Sequence, residues 1–265
     1  MNVTTELLDT LCAIAGEAGH AIMEVYEGDI AVIDKADQSP LTVADMRADA
    51  IIRARLEAAF PGIYILSEES RSPEQAGADH APFFLVDPLD GTKEFVKRNG
   101  EFTVNIALIA DGVPVAGVVY APALSTLYYG GAGLGAWCRD AGGLRPLQAV
   151  RWDPSTPLQV IGSRSHGAEE LNAWLQKLPC AHEFVAAGSS LKFCRIAEGA
   201  AHAYPRFGLT SQWDTAAAHC VLNNAGGAVL ALDGQPLRYG MGLPILNSHF
   251  LACHAADANW LLNLP

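Results

Sequence analysis

Two short apolar runs, Ile63-Tyr64-Ile65-Leu66 and Phe83-Phe84-Leu85-Val86, each stop abruptly in acid. Ser67-Glu68-Glu69 follows the first, and Asp87-Pro88-Leu89-Asp90-Gly91-Thr92 follows the second. Runs of this length and composition read as buried strands. Carboxylates at the ends of two buried strands mark a candidate site, and the rest of the chain has to be arranged around it.

Upstream, Leu7, Leu8, Leu11, Ile14, Ala15, Ala18, Ile22 and Tyr26 recur with helical spacing and stop at Gly28-Asp29, which predicts a long amphipathic helix from Thr5 to about Glu27. After a polar loop, Thr42 is placed to cap a second helix that runs to Pro61-Gly62 and holds Asp45 in its first turn. Residues 102–109 and 113–120 flank Asp111-Gly112, a hairpin signal, and the glycines at 130, 131, 133 and 135 continue an antiparallel region. Beyond Arg151 strand and helix alternate: strands at 158–161, 202–204 and 228–232, helices at 168–178, 191–197 and 215–224. The expected organisation is therefore two α/β halves, 1–145 and 146–265, joined near 143–154. The first carries most of the acidic motifs and the second carries Asp214.

With 29 Asp+Glu against 17 Lys+Arg, the formal charge is −12. No basic cluster stands out, so a polymeric nucleic acid or an anionic membrane surface is excluded as a general partner. A small phosphorylated molecule remains allowed, provided something local reverses the sign of the field. The cysteines at 12, 138, 180, 194, 220 and 253 form no C-x-x-C pair, no signal peptide is evident and no apolar run is long enough for a membrane span. Free thiols in a cytoplasmic protein are expected.

Two carboxylates three apart, leaving a strand through a proline and turning at a glycine, can converge with the Leu89 carbonyl on one hard cation. A strand-end turn in which Asp caps the next helix is an equally good reading of that run alone. Glu68, Asp45 and Asp214 tilt the balance. Asp45 and Asp214 taken singly are ordinary helix-start charges, but four or five carboxylates facing one cleft repel strongly unless multivalent cations sit among them. His20 and His219 fall in helical patterns, and Trp152, Trp174 and Trp260 read as packing residues.

The stretches 87–105 (DPLDGTKEFVKRNGEFTVN), 188–199 (GSSLKFCRIAEG) and 204–208 (YPRFG), with Glu68-Glu69 and Trp213-Asp214 through Gly226-Gly227, resemble the signature motifs of the inositol monophosphatase superfamily. Within it they are most similar to the bacterial 3'(2'),5'-bisphosphate nucleotidase branch of CysQ type. The resemblance spans nearly the whole chain. It implies a layered α/β/α/β/α (α+β) sugar-phosphatase fold, with two halves around a metal cleft. It also implies two or three Mg2+ held by Glu68, Asp87, Asp90, Asp214 and the Leu89 carbonyl, with lithium sensitivity. Asp45 and Thr92 would orient and deprotonate the attacking water, and no protein-phosphate intermediate forms. Gly91 and Thr92 offer backbone N–H groups to the phosphate if a helix begins there. His166, Ser189, Lys192, Arg206 and Asp214 fall at substrate-contact positions, and Lys35 and Lys93 add positive field. Ser189 also reads as an N-cap for the helix from Leu191.

The implied activity is hydrolysis of the 3'(2')-phosphate of adenosine 3'(2'),5'-bisphosphate to AMP, in sulfur assimilation and nucleotide recycling. The implied setting is the cytoplasm or the inner face of the membrane. Three rivals are weighed. A haloacid-dehalogenase-type phosphatase has one residue fewer between its acids. An inositol or fructose phosphatase shares the metal motifs but not Lys93-Glu94-Phe95. A metal-stabilised regulatory protein would not need both Asp45 and Thr92.

Overall fold

The computed structural model describes residues 2–28, 32–34, 40–70, 81–163 and 168–264. Helix α1 (Thr5–Glu27) is capped by Thr4, whose hydroxyl accepts the Leu7 N–H at 3.2 Å. A short ribbon of β1 (Val32–Asp34) and β2 (Pro40–Thr42) leads into α2 (Val43–Ala59). There follow β3 (Tyr64–Ser67), β4 (Phe83–Asp90), the single turn α3 (Thr92–Val96), β5 (Thr103–Ala110), β6 (Val113–Ala121), β7 (Thr126–Gly131), β8 (Gly135–Asp140) and β9 (Gly143–Pro146). These seven strands form one sheet in sequence order, with β3 parallel to β4 and the rest antiparallel. Between β5 and β6, Asp111 and Gly112 both take positive φ (50° and 74°), the backbone that a tight hairpin turn requires.

The remaining elements are β10 (Leu158–Gly162), α4 (Ala168–Gln176), β11 (His182–Ala186), α5 (Leu191–Ala197), β12 (Ala203–Arg206), α6 (Gln212–Asn224), β13 (Gly227–Ala231), β14 (Phe250–His254) and α7 (Ala258–Leu262). Their sheet has the order β11-β10-β12-β14-β13. It is parallel only around β10, whereas β14 runs antiparallel to both its neighbours. Several elements differ from expectation. β12 extends to Arg206, α6 begins at Gln212 rather than Thr215, and the strands β11 and β14 carried no sequence signal that was read as such.

Strand alternation sorts the core into layers. Phe84, Val86, Ile106 and Leu108 pack with α1 and α2 on one face of the large sheet. Phe83, Leu85, Ala107 and Ile109 face the other way, onto α5 and α6 and, beyond them, Tyr204 and Phe250 of the second sheet. Trp152, Trp174 and Trp260 pack with Leu158, Val160, Leu251 and Leu261 on that sheet's outer face, below α4 and α7. The result is the expected α/β/α/β/α stack, and its central helices, α5 and α6, come from the second half of the chain but pack on the sheet of the first. All six cysteines are free thiols. Among the described residues no helix is long and apolar enough to cross a membrane.

The central helices approach the large sheet through glycine. A Cβ on Gly117 would lie 2.4 Å from the Ala217 carbonyl oxygen and 2.8 Å from Cys220 Cβ, so α6 rests on bare backbone there. Gly16, inside α1, has nothing within 4 Å of the same position. Gly117→Ala is therefore expected to destabilise the protein by about 1–3 kcal/mol through overpacking. Gly16→Ala should stabilise it by up to about 1 kcal/mol through helix propensity. Paired urea or thermal melts read both signs; equal effects would contradict this packing.

Candidate active site

The acidic run at the end of β4 works because the strand is bulged. Asp87 pairs with Asn105 and Asp90 with Thr103, so Pro88 and Leu89 together oppose the single residue Val104. In a regular strand, residues three apart point to opposite faces; one extra residue returns Asp90 to the face of Asp87. That face looks toward the central helices, while Leu89 is buried on the opposite side with α1 and α2. Proline is tolerated at the bulge because a ladder hydrogen bond is already interrupted there. Gly91, at φ 90°, turns the chain where a Cβ would crowd the Glu101 carbonyl oxygen at 3.2 Å. Phe95, locked edge-on against Phe102 and packed on Tyr26, anchors the turn that follows Thr92.

Two further acids come from helix starts, and both occupy the same position in a capping box. At the head of α2, Asp45 Oδ2 accepts the Thr42 N–H at 2.7 Å and the Thr42 hydroxyl at 2.6 Å. At the head of α6, Asp214 Oδ2 accepts the Ser211 N–H at 2.9 Å. The plain helix-start reading of these residues is therefore correct and incomplete, since each also has a second oxygen. Asp45 Oδ1 lies 3.5 Å from the Thr92 hydroxyl, which is itself 3.4 Å from the Leu89 carbonyl. Glu68 is set by the register of β3: its N–H donates to the Val86 carbonyl at 3.1 Å, while the preceding Ser67 hydroxyl donates to buried Asp49 on α2.

Carboxylate oxygens of Glu68, Asp87 and Asp214 come within 4.8 Å of one another. Asp90 stands beside this trio with Oδ2 tied to the Ser190 N–H at 2.6 Å. Burial, reinforced by Glu68, Asp90, Asp214 and Asp45, pushes the Asp87 carboxyl well above the usual carboxylate range. Asp214 is raised likewise, by burial and then Asp90. Asp90 is raised to about 6, burial outweighing the opposing pull of Lys192 and the Ser190 N–H. A crowded, oxygen-only, anionic donor set of this kind suits a hard divalent cation, which would remove the repulsion that each carboxylate experiences.

The acids open into a cleft of about 290 Å³. Glu68, Asp87, Leu89, Asp90, Gly91, Thr92, Ser189, Lys192, Arg206 and Asp214 all line it, as does Lys93. His166 and Lys35 lie outside the described residues. Lys192 is buried, its ammonium donating to the Ala187 carbonyl at 3.3 Å and to that of Ser189, and lying 5.4 Å from the Tyr204 ring centre. Burial lowers its pKa to about 8, with Asp90 opposing. Arg206 donates to the carbonyls of Gly208 (3.2 Å) and Leu209 (2.9 Å), so part of its fork shapes the rim. The N-cap of α5 is Ser190, not Ser189; Ser189 instead takes φ 45° in the left-handed region. Arg98 is tied to the α1 terminus through the carbonyls of Tyr26 and Gly28 and does not line the cleft.

Sequence reasoning gave Glu94, which lines the cleft, no role of its own beyond the run Lys93-Glu94-Phe95, and it missed a buried polar group formed by Thr103, Asn105 and Ser190. A signal for the latter existed: Thr103 and Asn105 are the two polar residues, two apart, in the otherwise apolar β5.

The raised Asp90 pKa has a definite sign. A carboxyl whose folded pKa (about 6) exceeds its unfolded value contributes stability below the unfolded pKa and loses it as pH rises through 6. In chelator-treated protein, Asp90→Asn should thus match wild type near pH 4 and melt progressively higher than wild type as pH rises to 7.5. Excess divalent cation should reverse that order. Thermal melts across pH, with and without cation, test this, and a variant less stable than wild type without cation at pH 7.5 would contradict it.

A family model for the inositol monophosphatase family matches residues 4–261. The chain is 49% identical over 246 residues to the 3'(2'),5'-bisphosphate nucleotidase CysQ of Shigella flexneri, an alignment covering 92% of this chain and 98% of that protein. It is 48% identical, with the same coverage, to the protein of that name from Escherichia coli strain K12. Among solved structures, CysQ from Bacteroides thetaiotaomicron superposes with a TM-score of 0.80 at 36% identity, covering 93% of this chain and 97% of that one. The extragenic suppressor protein suhB from Bartonella henselae shares the fold at a TM-score of 0.82 and 23% identity, covering 98% of both chains. With an acidic cleft built from a bulged strand and two helix caps, and with relatives of this similarity over nearly its full length, the chain belongs to the inositol monophosphatase family.

Proposed function

We propose that this protein is a Mg2+-dependent phosphomonoesterase that hydrolyses the 3'(2')-phosphate of adenosine 3'(2'),5'-bisphosphate, yielding AMP and inorganic phosphate. The observation that carries the reading is the convergence in one cleft of the Glu68, Asp87 and Asp214 carboxylates, the Thr92 hydroxyl, backed by buried Asp45, and the cations Lys192 and Arg206. The names and similarity of the relatives support the substrate class.

Glu68, Asp87, Asp90, Asp214 and the Leu89 carbonyl would hold Mg2+. When bound, the metal supplies positive charge that neutralises phosphoryl oxygens and lowers the pKa of water. The chain's own residues do the rest. The Thr92 hydroxyl, donating to Asp45 Oδ1, keeps lone pairs that can take the attacking water's proton while its own proton passes to the Asp45 carboxylate. Asp45 is fixed by its cap bonds to Thr42, so the pair is oriented before substrate arrives. Lys192 and Arg206, both lining the cleft, would supply counter-charge to the second, retained phosphate of a bisphosphate. Gly91 and Thr92 begin α3, though a single turn adds little to anion binding beyond its N–H groups. Of the two halves, 1–145 contributes Glu68, Asp87 and Asp90, and 146–265 contributes Asp214 together with Lys192 and Arg206. Six free thiols, five of them buried, support a reducing, cytoplasmic setting.

Two outcomes test the reading. In steady state with Mg2+, adenosine 3',5'-bisphosphate should be turned over far faster than inositol 1-phosphate, and Li+ should inhibit. The reverse preference would move the assignment to a sugar-phosphate phosphatase. Thr92→Ala should lower kcat by about 100-fold or more with KM changed little, since it removes a proton-transfer group rather than a binding contact. A KM effect alone would contradict the role given to Thr92.

A further inference from the structure

The cleft residues that the reaction uses rest on a buried polar group that takes no part in it. Thr103, Asn105 and Ser190 are each at most 1% exposed. The Ser190 hydroxyl is 2.8 Å from Asn105 Oδ1 and 2.9 Å from the Thr103 hydroxyl, and Asn105 Nδ2 reaches Thr103 Oγ1 at 3.4 Å and Asp90 Oδ2 at 3.5 Å. The Ser190 N–H then donates to the same Asp90 oxygen at 2.6 Å. The register explains why these groups meet: Asn105 is directly across from Asp87 and Thr103 across from Asp90, on the bulged face. Ser190 arrives from the second half of the chain, as the cap position of α5.

We propose that Asn105, acting with Thr103 and Ser190, is a positioning residue that fixes the Asp90 carboxylate and ties it to the 187–192 loop, so that cation binding and the placement of that loop are one event. The loop has few alternatives. The Gly188 N–H donates to Glu101 Oε2 at 2.9 Å, a Cβ at Gly188 would lie 2.7 Å from the Glu101 carbonyl oxygen, and Lys192 reaches back to the Ala187 and Ser189 carbonyls. Asp90 thus presents one oxygen to the cleft because the other is held by a loop that also carries Ser189 and Lys192. Neither hydroxyl of the group caps a helix: Ser190 makes no side-chain cap bond to α5, its oxygen being engaged by Asn105 and Thr103. In a low-dielectric interior such a network specifies geometry closely when all its members are satisfied, and removing one member loosens what it holds.

The inference rests on the reading of Asp90 as a cation ligand, and its test separates the two. Chelator-treated full-length protein is titrated with Mn2+, following melting temperature and, in parallel, the Mn2+ signal in electron paramagnetic resonance. Asn105→Ala is expected to raise the half-saturating Mn2+ concentration by about 10-fold or more. Ser190→Ala, which keeps the N–H, should raise it less, and Thr103→Ser should match wild type. At saturating cation, kcat of Asn105→Ala should recover toward wild type while KM for the nucleotide stays raised, because the loop is no longer tied to Asp90. A purely structural role would lower the metal-free melting temperature and leave the half-saturating concentration where it was; that result overturns the inference. If Asn105→Ala does not fold, an unchanged half-saturating concentration in Ser190→Ala overturns it equally. Absence of any Mn2+ response in wild type would instead remove the cation reading of Asp90, and the inference with it.

Discussion

Repulsion among carboxylates confined to one buried place is the constraint on which this structure turns. Asp45, Asp87 and Asp214 are held in or at the edge of the interior, and Asp87 experiences the charge of four other acids. Left alone, such groups would protonate or drive the site apart. The fold keeps them together with bonds made elsewhere, Asp45 and Asp214 by the capping boxes of α2 and α6, Asp90 by the Ser190 N–H, Asp87 by the Leu89 N–H at 3.1 Å, and the strain shows in the raised pKa values of Asp87, Asp90 and Asp214. Asp45, Asp87, Asp90 and Asp214 each have one oxygen held in place by a backbone N–H. Stability is given up locally so that a cation gains a strong reason to bind.

The architecture supplies the convergence. Strand ends from the large sheet and helix starts from the central layer meet along one line, where α5 and α6 lie between the two sheets. Gly117 lets α6 settle against the sheet, which sets how far Asp214 stands from Asp87. The bulge in β4 brings Asp90 to the same side. None of these devices is chemical in itself. Together they bring residues far apart in the chain to one cleft.

Much of this was legible in the sequence, and the parts that were not have physical reasons. Helical periodicity marked α1, Thr42 marked the head of α2, and Asp111-Gly112 marked the hairpin, because each signal is local. The carboxylates were legible as a set because acids at the ends of buried runs are costly without purpose. The strand β14, Phe250–His254, was overlooked because five residues of mixed apolar character do not distinguish strand from helix. The strand β11 is largely exposed and shows no alternation. The placement of Asp214 within the capping box of Ser211, rather than as the opening of the helix, depends on one backbone bond. The roles of Asn105 and Ser190 depend on the pairing of β5 with a bulged strand and on a loop eighty-five residues away, contacts that no local pattern contains.

The net charge of −12 fits the same account. A protein this acidic attracts no anion by its overall field, so on the proposed function its affinity for a phosphate would come from a cation gathered by Glu68, Asp87 and Asp214, with Lys192 and Arg206 in the same cleft. The most direct test is an anomalous difference map from crystals grown with Mn2+ in place of Mg2+. The account predicts a peak shared by the Glu68, Asp87 and Asp214 carboxylates, with oxygen distances near about 2.1 Å. A map with no peak there at saturating Mn2+, in crystals whose carboxylates keep the arrangement described, would contradict it.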